Sequence, residues 1–105
     1  MANELRVETH TDGPVCTIVL TGDVDLASRP AVDEAMTSAC TSAATVTVDL
    51  SGVTFMDSSG LNALIAAAKL AGESDCELAV CSPSDPVRRL FEIAGVGEVL
   101  KVIDA

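Results

Sequence analysis

The chain has 105 residues, enough for one hydrophobic core and too few for two, so we expect a single domain over residues 1–105. Sixteen acidic against six basic side chains give a formal net charge of −10, which disfavours nucleic acid as a partner because phosphates are bound by clustered Lys and Arg. With two Phe and neither Tyr nor Trp, the composition also argues against a surface that stacks bases.

The first part of the chain predicts a β-hairpin followed by a helix. Residues 5–10 alternate apolar and polar side chains, which is the period of a half-buried strand and fits the edge of a sheet. After an Asp-Gly-Pro turn signal, residues 15–20 are nearly all β-formers, as expected of a strand covered on both faces. The Gly-Asp pair at 22–23 is predicted to end this strand. Apolar residues at helical spacing then predict an amphipathic helix over residues 27–41.

The remainder of the chain predicts strands alternating with helices. Residues 45–50 read as a third strand, and the preceding helix supplies the crossover that parallel pairing requires. A second helix is predicted over residues 58–71, with Gly72 as its C-terminal cap. The later predicted elements are a strand at 77–81, a helix at 86–94 and a strand at 99–103.

The third helix has clear start and stop signals. Ser84 is expected to be its N-cap, Pro86 fits the first turn, and Gly95 and Gly97 are expected to stop it. The order strand, strand, helix, strand, helix, strand, helix, strand predicts an α/β fold with a mixed sheet and helices packed against it.

The four cysteines do not form a recognisable metal or redox motif. No pair among Cys16, Cys40, Cys76 and Cys81 has the two-residue spacing of a zinc knuckle or a thioredoxin-like site, so ordinary buried thiols are expected. No apolar signal segment follows Met1, and no apolar stretch reaches the roughly 20 residues that span a bilayer. We therefore expect a cytoplasmic protein without membrane insertion, metal or cofactor.

The negative charge has two explanations that the sequence does not separate. An acidic surface is steered towards a partner with a basic face. Charge that only keeps the protein in solution accounts for the composition equally well.

Polar residues cluster where the second helix is predicted to begin, at Asp57-Ser58-Ser59-Gly60. A serine at a helix start is first explained as a cap, which stabilises a helix by roughly 1 kcal/mol. With two serines, one hydroxyl can cap while the other stays exposed, and Gly60 would leave the backbone clear for a partner. A phosphate on the exposed hydroxyl would gain from free N–H groups and would add about −1.5 to −2 charges beside Asp57.

Three stretches carry a family resemblance that covers nearly the whole chain. They are TGDVDL at 21–26, DLSGVTFMDSSGL at 49–61 and VRRLFEIAGV at 87–96. In these stretches the chain resembles the anti-sigma factor antagonists, also called anti-anti-sigma factors, whose domain is of the sulfate-transporter-and-antagonist (STAS) type. The resemblance implies a mixed four- to five-stranded sheet with α-helices packed on one side.

The resemblance also implies partner switching. An anti-sigma factor that is an ATP-dependent serine kinase would phosphorylate Ser58, while the unphosphorylated form would bind that kinase and release the sigma factor. A serine phosphatase would reset the switch. Asp25 matches the loop acid near the phosphorylated serine, and its alternative role is to cap the first helix. The implied partner-binding residues are Asp25, Asp57, Ser58, Ser59, Gly60 and Asn62.

Two departures from the family pattern bear on partners. Relatives often have Gly where this chain has Asn62, so the side chain there is expected to narrow the range of partners. Many relatives add a helix beyond the position of Ala105, and we expect a monomer or a weak dimer. An alternative function is a STAS-type regulatory or scaffold subunit of a stress-signalling or transporter assembly.

Catalysis is not predicted. Ser58 as a nucleophile would need a general base, and the sole histidine, His10, is expected at the end of the first strand. Asp25 and Asp57 lack a third ligand at a sensible spacing for a metal.

Overall fold

The computed structural model describes residues 3–103, in which strands and helices follow one another in the predicted order. The strands are β1 (Arg6–Asp12), β2 (Val15–Val24), β3 (Thr45–Met56), β4 (Glu77–Cys81) and β5 (Lys101–Ile103). The helices are α1 (Arg29–Ser42), α2 (Ser58–Glu73) and α3 (Asp85–Ala94), the last followed by a 3-10 turn at Val96–Glu98.

The sheet is mixed, as predicted. Its five strands lie in the order β1-β2-β3-β4-β5, with β1 antiparallel to β2 and the other neighbours parallel. The predicted hairpin and edge strand are confirmed, and Gly13 takes the positive φ of 60° that its turn requires. From β2 to β5 each parallel strand is added on the same side of the one before it. Right-handed crossovers in such an order place all of their helices on one face of the sheet.

One continuous core lies between that face and the helices. On β2 the buried side chains alternate with half-buried ones, which gives the strand one inward face. The inward residues of the central strands and of the three helices form a single apolar cluster, which includes Ile18, Leu20, Val46, Val48, Val32, Met36, Leu61, Leu64, Val87 and Phe91. The prediction that β2 is covered on both faces is wrong, because Thr17 and Val19 lie on the face without helices and remain half-buried.

Two strands extend beyond their predicted ends. β2 continues through Gly22, which adopts a φ of +108°, and ends at Val24. β3 continues from Leu50 to Met56, so the expected loop before the second helix is strand, and Asp57 alone separates β3 from α2. The predicted bounds of β4 are confirmed.

The extension of β3 contains two irregularities that keep its apolar residues inward. β3 has 12 residues opposite 10 on β2, and the register shifts between Val19 and Thr21 and again between Gly22 and Asp23. A β-bulge adds one residue to a strand and thereby reverses the faces of the residues that follow it. Each bulge of β3 therefore moves the next inward-facing position one residue further along the chain. The buried positions of the second half of β3 consequently follow a spacing of three, at Leu50, Val53 and Met56.

The helix ends differ in part from the predictions. α2 runs through Gly72 to Glu73 and is capped by Ser74, so Gly72 is not its cap. Gly95 ends α3, as predicted, and the structure shows it in the left-handed conformation. Ser84 occupies the predicted N-cap position of α3, but its side chain makes no cap hydrogen bond.

The cysteines behave as packing residues. Cys16, Cys40 and Cys76 are buried, whereas Cys81 is half-buried. Burial, reinforced by the neighbouring Cys76 thiol, raises the pKa of Cys40 to about 11. A thiol with a raised pKa remains protonated at neutral pH and is a poor nucleophile.

Within residues 3–103, no helix combines the length and the apolar character needed to cross a membrane.

Candidate functional site

The candidate site lies where β2 and β3 end side by side. Val24 and Met56 are paired in the sheet, and the Asp57 N–H donates to the Val24 carbonyl at 3.3 Å. The segments that follow these strands carry Asp25 and Ser58, so the structure brings both predicted residues to one edge of the sheet. This is the carboxyl edge of the parallel strands.

Asp57 is the N-cap of α2. Its Oδ1 accepts from the backbone N–H groups of Ser59 at 2.9 Å and Gly60 at 3.1 Å, and its carbonyl accepts from Leu61 at 3.0 Å. The expectation that a serine hydroxyl caps this helix is wrong, because an aspartate directly before the first helical residue does so. A phosphate on Ser58 would not find these N–H groups free either, since Asp57 already uses them.

The two serines of the segment differ in exposure. Ser58, the first residue of α2, is exposed, whereas Ser59 is half-buried and contributes its N–H to the Asp57 cap. Asn62 is also exposed, one helical turn after Ser58 and on the same face of α2. The accessible hydroxyl is therefore the one at the predicted phosphoacceptor position.

Gly60 has a packing role that the sequence interpretation missed. It is buried, and a Cβ added to it would lie 2.7 Å from both Val24 Cγ1 and the Val24 carbonyl oxygen, and 2.8 Å from Met56 Cγ. Its missing side chain lets the start of α2 sit against the ends of β2 and β3. The prediction that Gly60 keeps the backbone clear for a partner is wrong, because the space it leaves is filled from within the domain.

Asp25 closes a turn before α1. Its Oδ1 accepts from the Ser28 N–H at 3.0 Å, while its own N–H donates to Ser28 Oγ at 2.9 Å. Ser28, not Asp25, stands at the N-cap position of α1, and the helix begins at Arg29. The alternative role of Asp25 as a helix cap is therefore wrong, and its carboxylate holds the loop that lies beside Ser58.

Two exposed apolar side chains on the segments that lead into or out of this edge were not predicted as site residues. Leu26 is 72% exposed in the loop after β2, and Phe55 is 48% exposed two residues before Asp57. Leu26 could have been predicted as an exposed apolar residue from the sequence, because it lies directly after Asp25 in a polar loop. These side chains offer apolar contact area beside an otherwise acidic edge.

A cleft of about 590 Å³ adjoins the loop. Its lining includes the acidic residues Glu4, Asp23 and Asp25 together with apolar Leu5 and Ala31. The acidic lining agrees with the net charge and favours a partner with basic side chains at this edge.

His10 is far from the serine. It is paired with Thr17 on β2, and its Nε2 lies 3.6 Å from Glu8. Val24 is seven positions after Thr17, which corresponds to about 23 Å at the usual rise of a strand. The structure thus does not bring His10 and Ser58 together as a base and a nucleophile. Among residues 3–103 no group of His, Cys, Asp or Glu is arranged to hold a metal ion.

Comparisons with known proteins agree with this fold. The family model described as "Mlab, STAS domain" matches residues 7–103, so the chain belongs to the STAS-domain family. The anti-sigma-B factor antagonist of Staphylococcus aureus is 30% identical over 99 residues, which are 93% of this chain and 92% of the relative.

Solved structures share the same architecture. An anti-sigma factor antagonist from Mycobacterium paratuberculosis matches with a TM-score of 0.85 at 22% identity, over 94% of this chain and 85% of that one. The unphosphorylated anti-sigma factor antagonist SpoIIAA matches with a TM-score of 0.78 at 21% identity, over 97% and 88%. The fold implied by the family resemblance is confirmed.

Proposed function

We propose that this protein is a cytoplasmic anti-sigma factor antagonist, and a regulatory protein rather than an enzyme. In its unphosphorylated form it binds an anti-sigma factor that is a serine kinase, and the sigma factor is released. Phosphorylation of Ser58 ends this binding, and a serine phosphatase restores it. The observation that carries the proposal is the exposed Ser58 hydroxyl directly after the Asp57 cap. The name of the Staphylococcus aureus relative supports the same role.

The environment of Ser58 explains how a phosphate would act. The N–H groups of Ser59 and Gly60 donate to Asp57 Oδ1. They could donate to a phosphate on Ser58 only if their hydrogen bonds to Asp57 were broken. The phosphate would instead add about −1.5 to −2 charges to an edge that already carries Asp25 and Asp57. A partner packed against the neutral hydroxyl would then bury an uncompensated dianion, which costs several kcal/mol, as a rough estimate. The switch therefore acts on the interface and leaves the fold intact.

Some of the remaining site residues are exposed and can contact a partner, whereas others hold the site in shape. Asn62, exposed one turn along α2, and Leu26, exposed in the neighbouring loop, are available to a partner. Asp25 and Asp57 shape the two segments through their hydrogen bonds and present acidic groups. Gly60 is buried, so it supports the surface without touching the partner.

The proposal is tested by mapping the phosphate and capturing the partner. Purified cognate kinase and ATP are expected to modify the wild type and Ser59→Ala at Ser58, and to leave Ser58→Ala unmodified. Phosphate found mainly on Ser59 would show that the acceptor is assigned to the wrong residue. A lysate pull-down with Ser58→Ala is expected to retain the anti-sigma kinase, and Ser58→Asp to lose it. Recovery of transporter or scaffold subunits without a kinase would favour the alternative role as a regulatory subunit.

A further inference from the structure

The strand that delivers Ser58 contains an extra residue just before the site. On β3, Val53 pairs with Gly22 and Phe55 pairs with Asp23, so Thr54 is the unpaired residue of a β-bulge. The strand ends two residues later at Met56. Because a bulge sets the bend and twist of its strand, the conformation at Thr54 determines the direction from which α2 begins.

The bulge is tied to two other chain segments by exposed hydrogen bonds. The Thr54 hydroxyl donates to Asp23 Oδ1 at 2.7 Å and accepts from Asn3 Nδ2 at 3.3 Å. The Asn3 N–H donates to Asp23 Oδ2 at 3.0 Å, and the Asp23 N–H donates to the Asn3 carbonyl at 2.9 Å. We call this set of Asn3, Asp23 and Thr54 the brace.

Gly22 is what allows the N-terminal segment to come so close. A Cβ at Gly22 would lie 2.5 Å from the Glu4 carbonyl oxygen and 3.2 Å from that of Asn3. Its φ of +108° is also one that other residues rarely adopt. The backbone at this position is thus specialised for holding residues 3 and 4 against the strand.

The brace also reaches the loop that carries Asp25. The Asp23 carbonyl accepts from Ser28 Oγ at 3.0 Å, and the same Oγ accepts from the Asp25 N–H at 2.9 Å. Asp23 therefore connects the Thr54 bulge, which precedes Ser58, with the loop that follows β2. Both halves of the candidate site are held relative to each other through one residue.

We propose that the brace of Asn3, Asp23 and Thr54 positions the Ser58 segment and the Asp25 loop for recognition by the partner kinase. Recognition by a kinase rests on the proposed function. Asn3 and Thr54 are exposed, so their hydrogen bonds compete with water and each contributes only modestly to global stability. In this proposal they act as positioning residues, because their hydrogen bonds hold the two segments of the site in place.

Thr54→Val removes the central hydroxyl and keeps the shape of the side chain. In the isolated protein, we expect amide hydrogen exchange in residues 25–28 and 57–61 to accelerate by about fivefold, the value of one exposed hydrogen bond. Affinity for the purified kinase is expected to fall by about the same factor, and the Tm is expected to fall by about 4 °C, because the same bond is lost from the native state. Thr54→Ser, which restores the hydroxyl, should recover all of these values.

Two further variants keep the test decisive. Thr47→Val makes the same change on β3 at a position paired with Thr17 and Ala79, away from the brace, and should change neither exchange nor affinity. Asn3→Ala removes one arm of the brace without altering a strand, and should reproduce a smaller part of the Thr54→Val effect even if that variant folds poorly.

The outcomes separate the brace from the proposed function. Unchanged exchange in both Thr54→Val and Asn3→Ala would show that the brace does not order the site. Faster exchange with kinase affinity within about twofold of the wild type would overturn its role in recognition. A wild type that binds no kinase would refute the proposed function and kinase recognition with it, while the exchange data would still decide whether the brace orders the two segments.

Discussion

Helices α2 and α3 both follow a parallel strand and both begin among Asp and Ser residues, yet they treat the serine differently. At α2 the N-cap is Asp57, whose carboxylate takes the N–H groups of the first turn, and Ser58 is left exposed. At α3 the N-cap is Ser84, whose Oγ is buried without a hydrogen-bond partner. In this protein the hydroxyl that follows the capping Asp is exposed, whereas the hydroxyl at the N-cap position is buried.

This difference matters for a modification switch. A kinase must reach the hydroxyl, and the added charge must remain outside the core if the fold is to survive. The start of α2 meets both conditions because its cap is satisfied by a neighbouring carboxylate. The start of α3 meets neither, although its sequence also signals a helix start.

A carboxylate placed at each serine should give the largest contrast. Ser58→Asp is expected to weaken kinase binding by about 100-fold or more, since several kcal/mol are lost when a charge is buried in an interface, and to change the free energy of unfolding by less than about 0.5 kcal/mol. Ser84→Asp is expected to lower the free energy of unfolding by about 1–3 kcal/mol, because the carboxylate would occupy the buried position of Oγ although Asp is favourable at an N-cap. Urea denaturation and a binding titration measure both. Equal destabilisation by the two variants would contradict the conclusion that Ser58 is exposed to solvent while the Ser84 hydroxyl is buried.

The tight seating of α2 on the strand ends is tested by adding one methyl group. Gly60→Ala is expected to lower the free energy of unfolding by about 1–3 kcal/mol, because the new Cβ would overlap Val24 and Met56. Gly72→Ala is the matched control in the same helix. A Cβ there meets nothing within 4 Å, so higher helix propensity should stabilise the protein by about 0.5–1 kcal/mol. A neutral Gly60→Ala in urea denaturation would contradict the seating described for α2.

The cap itself is expected to have a moderate effect. Asp57→Ala should lower the free energy of unfolding by about 1 kcal/mol, because two backbone N–H groups lose their acceptor. Ser84→Ala is the counterpart at α3 and should be neutral or stabilising, since the Ser84 hydroxyl is buried without a partner. Thermal and urea unfolding of both variants compare the caps directly. A larger loss for Ser84→Ala than for Asp57→Ala would reverse the comparison.

The elements with strong local signals could be predicted from sequence. The run Glu77–Cys81 is dominated by β-formers and small apolar residues, and its bounds are those of β4. Gly95 follows the last apolar position of α3 and adopts the left-handed conformation that such a cap requires. The helix start alone left open which serine is exposed, and the family resemblance implied Ser58 as the phosphoacceptor.

Features that depend on neighbouring strands could not be predicted in the same way. The extension of β3 was missed because Ser51, Gly52 and Thr54 interrupt the alternation, and bulges appear only when the register with β2 is known. The role of Gly60 depends on Val24, which is 36 positions earlier in the chain. The role of Asp57 as the N-cap of α2 could have been predicted, since aspartate is a preferred N-cap. The cap was instead assigned to one of the two adjacent serines.

The smallest expected effect concerns apolar contact area at the two regions. Leu26 is 72% exposed beside the start of α2, and Ile93 is 79% exposed near the end of α3. Leu26→Ser should weaken binding of the unphosphorylated protein to the kinase by about fivefold, as expected for an aliphatic side chain partly buried at an interface. Ile93→Ser removes a similar side chain from the other helix and should leave the affinity unchanged. Both residues are exposed in the free protein, so neither change should alter the free energy of unfolding by more than about 0.5 kcal/mol. Equal losses of affinity in the two variants would show that the partner-binding surface extends to α3. A loss in Ile93→Ser alone would show that the partner binds at α3 and not at the loop that carries Leu26.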